Sequence, residues 1–311
     1  MVFLLPELLK VRAVSYLSII GLQKRNPAAL RNPPAFFVTK NTHKIFMRPR
    51  RALIRIGGML CILLVLAACS PTAPSNELVI GMDLSYPPFE TIQPDGSPGG
   101  VSVQIAEHLG AYLHRPIRIE NIPFIGLIPS LRSHKIDLII SSMTDTPERR
   151  KSIEFSEPYL TIGLALLSQK GSGIHSVHEL NFSTRKVAVR QGTTAQIWAL
   201  KNLPQALLLA FEKESAAVRE VAQGKADAFL YDQMSVWKYS QLYRDKCEAQ
   251  LMPFSHEEWA IGLRIGDTAL KDQVNAFLQE FRQQGGFYRL GNEYLMDQKR
   301  AFRQLGIPFY F

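Results

Sequence analysis

Residues 138–159 read LIISSMTDTPERRKSIEFSEPY, and the change of character along this stretch decides the kind of molecule the chain makes. Its start completes IDLIISS (136–142), a near-continuous apolar run of the kind a strand covered on both faces shows. Hydroxyls and charges follow at once. Thr146-Pro147 then reads as an N-cap followed by proline at the first helical position, so a short helix carrying Glu148, Arg149 and Arg150 starts where the loop ends.

Upstream, ELVIGMD (77–83) is a short strand ending in an acid, and SYPPFETIQPDGSPGG turns through prolines and glycines. VSVQIAEHLGAYLH (101–114) places Val103, Ile105, Ala106, Leu109 and Leu113 on one helical stripe. IRIENI is strand and FIGLIPSLRSHK is helical. Downstream the order repeats: KVAVRQG (186–192) strand, TTAQIWALKNL helix, ALLLAF strand or buried segment, SAAVREVAQGK helix, ADAFLYD (226–232) strand. EWAIGLRI (258–265) reads as one further strand, before a long amphipathic helix, a glycine break and a second helix. Alternation of this kind predicts parallel α/β sheets. Two such units, separated by the extended YLTIGLALLSQ (159–169), predict two lobes. Small ligands bind beyond the carboxyl ends of strands in open α/β sheets. Those positions hold Asp83, Ser141 and Ser142, Gln191 to Thr194, and Asp232, and every one is polar.

The 311 residues carry 36 Lys+Arg and 27 Asp+Glu, a formal charge of +9 that at first suggests a polyanionic partner. Residues 1–69 hold 11 of those cations and one acid, Glu7, which leaves 25 cations against 26 acids beyond them. The folded part is nearly neutral, and nucleic-acid binding is disfavoured. From Met47 to Ser70 the chain reads MRPRRALIRIGGMLCILLVLAACS: a cationic segment, a short apolar core, then small residues before a cysteine. The core is shorter than the ~18–20 residues of a membrane span. The ending Leu66-Ala67-Ala68-Cys69 resembles the lipobox of bacterial lipoproteins. The expected division is an upstream extension (1–46), a lipoprotein signal (47–68), a tether (69–76) and lipidation of Cys69. Cys247 is the one cysteine left, so neither an internal disulfide nor a cysteine metal site is expected, and His175 with His178 is too thin a pair for zinc.

VIGMDLSYPPFE, FIGLIPSLRSHKIDLIISSMTDTPERRKSIEFSEPY, VAVRQGTTAQ and GKADAFLYD together resemble, in order and spacing over about residues 77–300, the periplasmic solute-binding proteins for polar amino acids, family 3. The resemblance implies the type II periplasmic binding fold: two α/β lobes, 77–162 plus 260–311 and 163–259, joined by two crossovers and closing like a hinge on a ligand. It implies that Arg149 clamps the α-carboxylate, a task for a two-pronged guanidinium. Thr144 and Ser142 add a hydroxyl or backbone group, and Ser141 its backbone. Thr194, opening a helix, is the second carboxylate contact, and Asp232 pairs with the α-ammonium. Asp83, Tyr86, Phe124 and Arg190 form the side-chain end, where an acceptor and a donor together suit glutamine, then glutamate or arginine. The family's acidic run after the first turn is absent: Gly100-Val101-Ser102-Val103-Gln104 stands there instead.

The implied partners are a free amino acid, the permease and ATPase subunits of an ABC importer, and a membrane reached through lipid on Cys69. A monomer without cofactor or catalysis is expected. Two other classes share the fold. A cyclohexadienyl-dehydratase-like enzyme needs a proton donor near the ligand, for which Glu90 and Glu157 are candidates, and a sensing module needs a membrane receptor to report to.

Overall fold

A computed structural model of the protein describes residues 76–307. The expected extension, signal, Cys69 and all but the last residue of the tether lie outside them.

The first lobe opens with β1 (Leu78–Met82), whose Leu78, Ile80 and Met82 are buried. A small antiparallel sheet follows, made of β2 (Ser85–Tyr86), β3 (Glu90–Ile92) and β4 (Pro98–Gly99). It leads into α1 (Val101–Tyr112), which starts at Gly100 for a physical reason. Gly100 has φ +108°, and a Cβ there would lie 2.5 Å from the carbonyl oxygens of Pro88 and Phe89. Only glycine tolerates both that dihedral and that approach. Then come β5 (Ile117–Asn121), α2 (Leu127–Arg132), β6 (Leu138–Ile139), α3 (Pro147–Arg150) and β7 (Glu154–Phe155).

The chain crosses through β8 (Leu160–Ile162) into the second lobe. That lobe comprises β9 (Leu164–Gln169), β10 (Lys186–Arg190), α4 (Thr194–Asn202), β11 (Leu207–Phe211), α5 (Glu214–Ala222), β12 (Ala228–Asp232), α6 (Gln233–Leu242) and β13 (Cys247–Gln250). The chain returns through β14 (Glu257–Trp259) to β15 (Gly262–Leu263), and α7 (Thr268–Gln283), α8 (Gly286–Tyr294) and α9 (Met296–Gln304) follow.

The two five-stranded sheets share one plan. Their orders are β5-β1-β6-β15-β7 and β11-β10-β12-β9-β13. In each, the first three strands are parallel and the last two join antiparallel. Among these, β9 and β15 continue the crossovers, which the alternating pattern did not foretell. β9 is buried at five consecutive positions because it lies between β12 and β13, covered on both faces.

EWAIGLRI is two strands and not the single one expected. Glu257–Trp259 pairs with β8 and bridges to Thr144, whereas Gly262–Leu263 inserts between β6 and β7. The backbone must change sheets between them. IDLIISS likewise keeps ladder pairing only at Leu138–Ile139 and ends at Ser142, which has φ +49°. A serine in the left-handed region is uncommon and costs of order 1 kcal/mol or more, so the surroundings hold it there. Helices α6 and α9 and strand β13 were not read from the sequence at all.

Candidate functional site

Strand ends and helix starts of both sheets meet at one cavity between the lobes. The first lobe contributes Asp83 just past β1, Tyr86 on β2, Phe124 before α2, the loop residues Ser141, Ser142 and Thr144 after β6, and Arg149 on α3. The second contributes Arg190 at the end of β10, Thr194 at the start of α4 and Asp232 at the end of β12. All ten residues singled out from the sequence therefore line the same space.

Arg149 is held rigidly. The Thr146 hydroxyl accepts from the Arg149 backbone N–H at 3.2 Å, capping α3, with Pro147 at its first position. Arg149 is 7% exposed; its Nη1 donates to the Thr144 carbonyl at 2.6 Å and its Nη2 to the Gly192 carbonyl of the other lobe at 3.1 Å. Those bonds use two of the guanidinium's five N–H groups. Burial pulls its pKa down to about 10, so it stays cationic near neutrality.

Asp232 faces it from the second sheet, 5% exposed. Its Oδ1 accepts from the Ser235 backbone N–H at 3.0 Å, capping α6, and from the Tyr86 hydroxyl at 2.8 Å. Burial pushes its carboxyl up to about 7, against the pull of those two bonds and with Glu214 adding to the rise. Tyr86 itself belongs to an aromatic cluster, stacked on Phe89 at 5.4 Å and edge-on to Tyr231 and Trp259.

Asp83 and Arg190 are spent on each other. Arg190 Nη2 donates to Asp83 Oδ2 across the cleft, and Arg190 is only 2% exposed. The remaining Arg190 bonds go to the Glu212 carbonyl, the Tyr231 hydroxyl and Ser85 Oγ. Asp83 also accepts from the Phe124 backbone N–H at 2.7 Å and the Ser85 hydroxyl. Burial works against the Arg190 charge, but Tyr231 and Asp83 outweigh it and its pKa lies above the ordinary value. The Phe124 ring is near both guanidinium groups, 5.4 Å from Arg149 and 5.6 Å from Arg190. Ser141 uses its hydroxyl, and not only its backbone, to accept from the Asp83 N–H at 2.9 Å.

Two further acids line the cavity, beside Leu164, Thr193, Tyr231 and Trp259. Glu90 is fully buried, and its Oε1 accepts from the Ser102 and Ser142 hydroxyls. Ser102 stands in the run where the family's acids are missing, so a serine–glutamate–serine chain supports the Ser142 loop from behind. Burial pushes the Glu90 carboxyl up to about 8. Its rival as proton donor, Glu157, is exposed and does not line the cavity. Glu257, on β14, was not singled out; it lies in HEE, which resembles any charged turn. The alternation of Glu257 in, Glu258 out and Trp259 in is the signal that a strand reading would have used.

Two mixed sheets bridged by a pair of crossing strands, with a cleft between them, define a two-lobed solute-binding protein of the type II periplasmic architecture. The family of bacterial extracellular solute-binding proteins, family 3, matches residues 78–297, and the chain belongs to it. It is 26% identical over 219 residues to the L-cystine-binding protein TcyJ of Escherichia coli, covering 70% of this chain and 82% of that protein. It is 29% identical over 252 residues to the arginine-binding extracellular protein ArtP of Bacillus subtilis, covering 77% and 96%. Among solved structures, an ancestral amino acid-binding protein described as a precursor of cyclohexadienyl dehydratase superposes with TM-score 0.65 at 32% identity, covering 70% of this chain and 95% of that one.

Proposed function

We propose that the protein is the extracytoplasmic receptor of an ABC importer, capturing a free polar amino acid by hinge closure and passing it to membrane permease and ATPase subunits. One observation carries this reading: Arg149 and Asp232, supplied by opposite lobes, line one cavity. A zwitterion exchanges water for both only when the two lobes meet around it. Glutamine is the favoured ligand. The Asp83–Arg190 pair cancels its own charge at the side-chain end, which suits a neutral amide better than a charged head. Glutamate ranks second, and arginine third because a cationic head meets a buried guanidinium.

Calorimetric titration against the twenty amino acids tests this. Tightest binding of glutamine is expected; tightest binding of a basic amino acid overturns the ligand choice, and no binding overturns the receptor role. The protein has no catalysis of its own in this reading. Appearance of phenylalanine or phenylpyruvate from arogenate or prephenate at enzymic rates refutes that.

A further inference from the structure

We propose that Glu257 is a resident carboxylate that gives up its charge when a ligand carboxylate enters the cleft, so that capture of an amino acid carries a proton from solvent to Glu257. The inference rests on the receptor reading above and deepens it.

Glu257 is 7% exposed and lines the same cavity as Arg149 and Asp232. It sits on the crossover strand β14, opposite Ile162 of β8. Its Oε2 accepts from the Thr144 hydroxyl of the first lobe at 2.9 Å, and Thr194 of the second lobe lines the same cavity. Arg149 supplies the nearest positive field. Thr144, Thr194 and Arg149 are the three groups the ligand's own carboxylate requires.

Each hydroxyl owns a single proton. While Thr144 donates to Glu257, it does not donate to a ligand. Two ionised carboxylates competing for that donor and for the field of Arg149 in a poorly solvated space repel strongly, and one of them takes up a proton. A neutral Glu257 becomes a donor itself, which frees the Thr144 proton to turn toward the ligand.

No other acid facing Glu257 relieves the conflict. β8 brings Leu160, Thr161 and Ile162, none of which titrates. From α3 comes Arg149, with Asp145 engaged by Arg150 beside it. On its own strand Glu258 points outward, and the neighbouring His256 is exposed. Asp232 and Glu90 line the same cavity but are bound to Tyr86 and Ser235, and to Ser102 and Ser142, respectively. Burial already pushes the Glu257 pKa up, against the pull of Thr194, Thr144 and Arg149.

The test is calorimetry at pH 8 in two buffers of different ionisation enthalpy, which counts protons exchanged per amino acid bound. The probe is L-glutamine, or whichever of the twenty amino acids binds most tightly. The wild-type protein is expected to take up more protons than Glu257→Gln, by a difference approaching about one per ligand. Its affinity is expected to weaken by up to about tenfold per pH unit above neutrality while that of the variant stays flatter. Glu258→Gln should match wild type. Equal proton numbers in wild type and Glu257→Gln overturn the proposal while leaving the receptor role intact. Failure of every amino acid to bind wild type removes both. Should Glu257→Gln not fold or bind, the infrared difference spectrum of wild type on adding the ligand decides. A new protonated-carboxyl band supports the proposal, and its absence overturns it.

Discussion

Arg149 and Asp232 show how a side chain's worth follows from what holds it. Arg149 is fixed by carbonyls on both lobes and a capped helix beneath it, so its unused N–H groups are already aimed when a carboxylate arrives. Arg149→Ala should cost about 2–5 kcal/mol of binding, the usual penalty for removing a buried charged partner; titration calorimetry measures it, and unchanged affinity would count against the clamp. Asp232 sets an acid limb. Its carboxyl, raised to about 7 by burial, pairs with an ammonium only when ionised. In the Glu257→Gln background, affinity should therefore hold above that pH and weaken as pH falls through it, whereas adding Asp232→Asn should give weak binding with no such limb. Binding measured from pH 5 to 8 separates the two cases. The acid role at 232 was legible only through the surrounding motif, since an aspartate after a strand is otherwise an ordinary turn residue and N-cap.

At the scale of elements, the small sheet, α1 and the loop after β6 are joined by one buried acid. Glu90 on β3 accepts from Ser102 on α1 and from Ser142 in the loop, so the left-handed Ser142 backbone is tied to two elements at once. This tie has a pH signature. The Glu90 carboxyl is raised from 4.5 to about 8 by burial in the folded state, while in the unfolded chain it titrates near its ordinary value. Between those limits the folded protein keeps a proton that the unfolded chain has released. Stability should accordingly fall as pH rises through that window, by about 1.4 kcal/mol for each pKa unit of displacement. Glu90→Gln should flatten the dependence, as denaturant unfolding at pH 5 and pH 8 would reveal. Elements with strong local signals, such as α1 with its apolar stripe and β12 with its apolar run, were legible in the chain. The split of EWAIGLRI was not, because period and propensity say nothing about which sheet a strand joins.

Across the described residues, polar contacts that cross the cleft run from Arg190 to Asp83 and Ser85, from Tyr86 to Asp232, from Arg149 to the Gly192 carbonyl and from Lys238 to the Pro87 carbonyl. Residues distant in sequence thus bind each other, and β8 with β14 is the strand pair that bridges the sheets. Arg190→Leu and Asp83→Asn should show a coupling of about 0.5–3 kcal/mol in a double-mutant cycle on unfolding, as for any pair in direct contact. Arg190→Leu should also enlarge the ligand-free radius of gyration in small-angle scattering; an unchanged radius would mean that the pair does not hold the lobes together. The sequence by itself determined the alternation of strands and helices, the two repeated units, the neutral balance beyond residue 69 and the polar positions just past the strands, all written in local periodicity and composition. Tyr86, Phe124, Thr144, Arg149 and Arg190, by contrast, were read through the family resemblance. Only the tertiary structure decided that Asp83 and Arg190 cancel each other, that Glu257 takes up the hydroxyl of Thr144, and that β9 and β15, which continue the crossovers, enter the sheets antiparallel. Those outcomes depend on which distant groups come within bonding distance, and that is set by how the two sheets pack and not by any residue's neighbours along the chain.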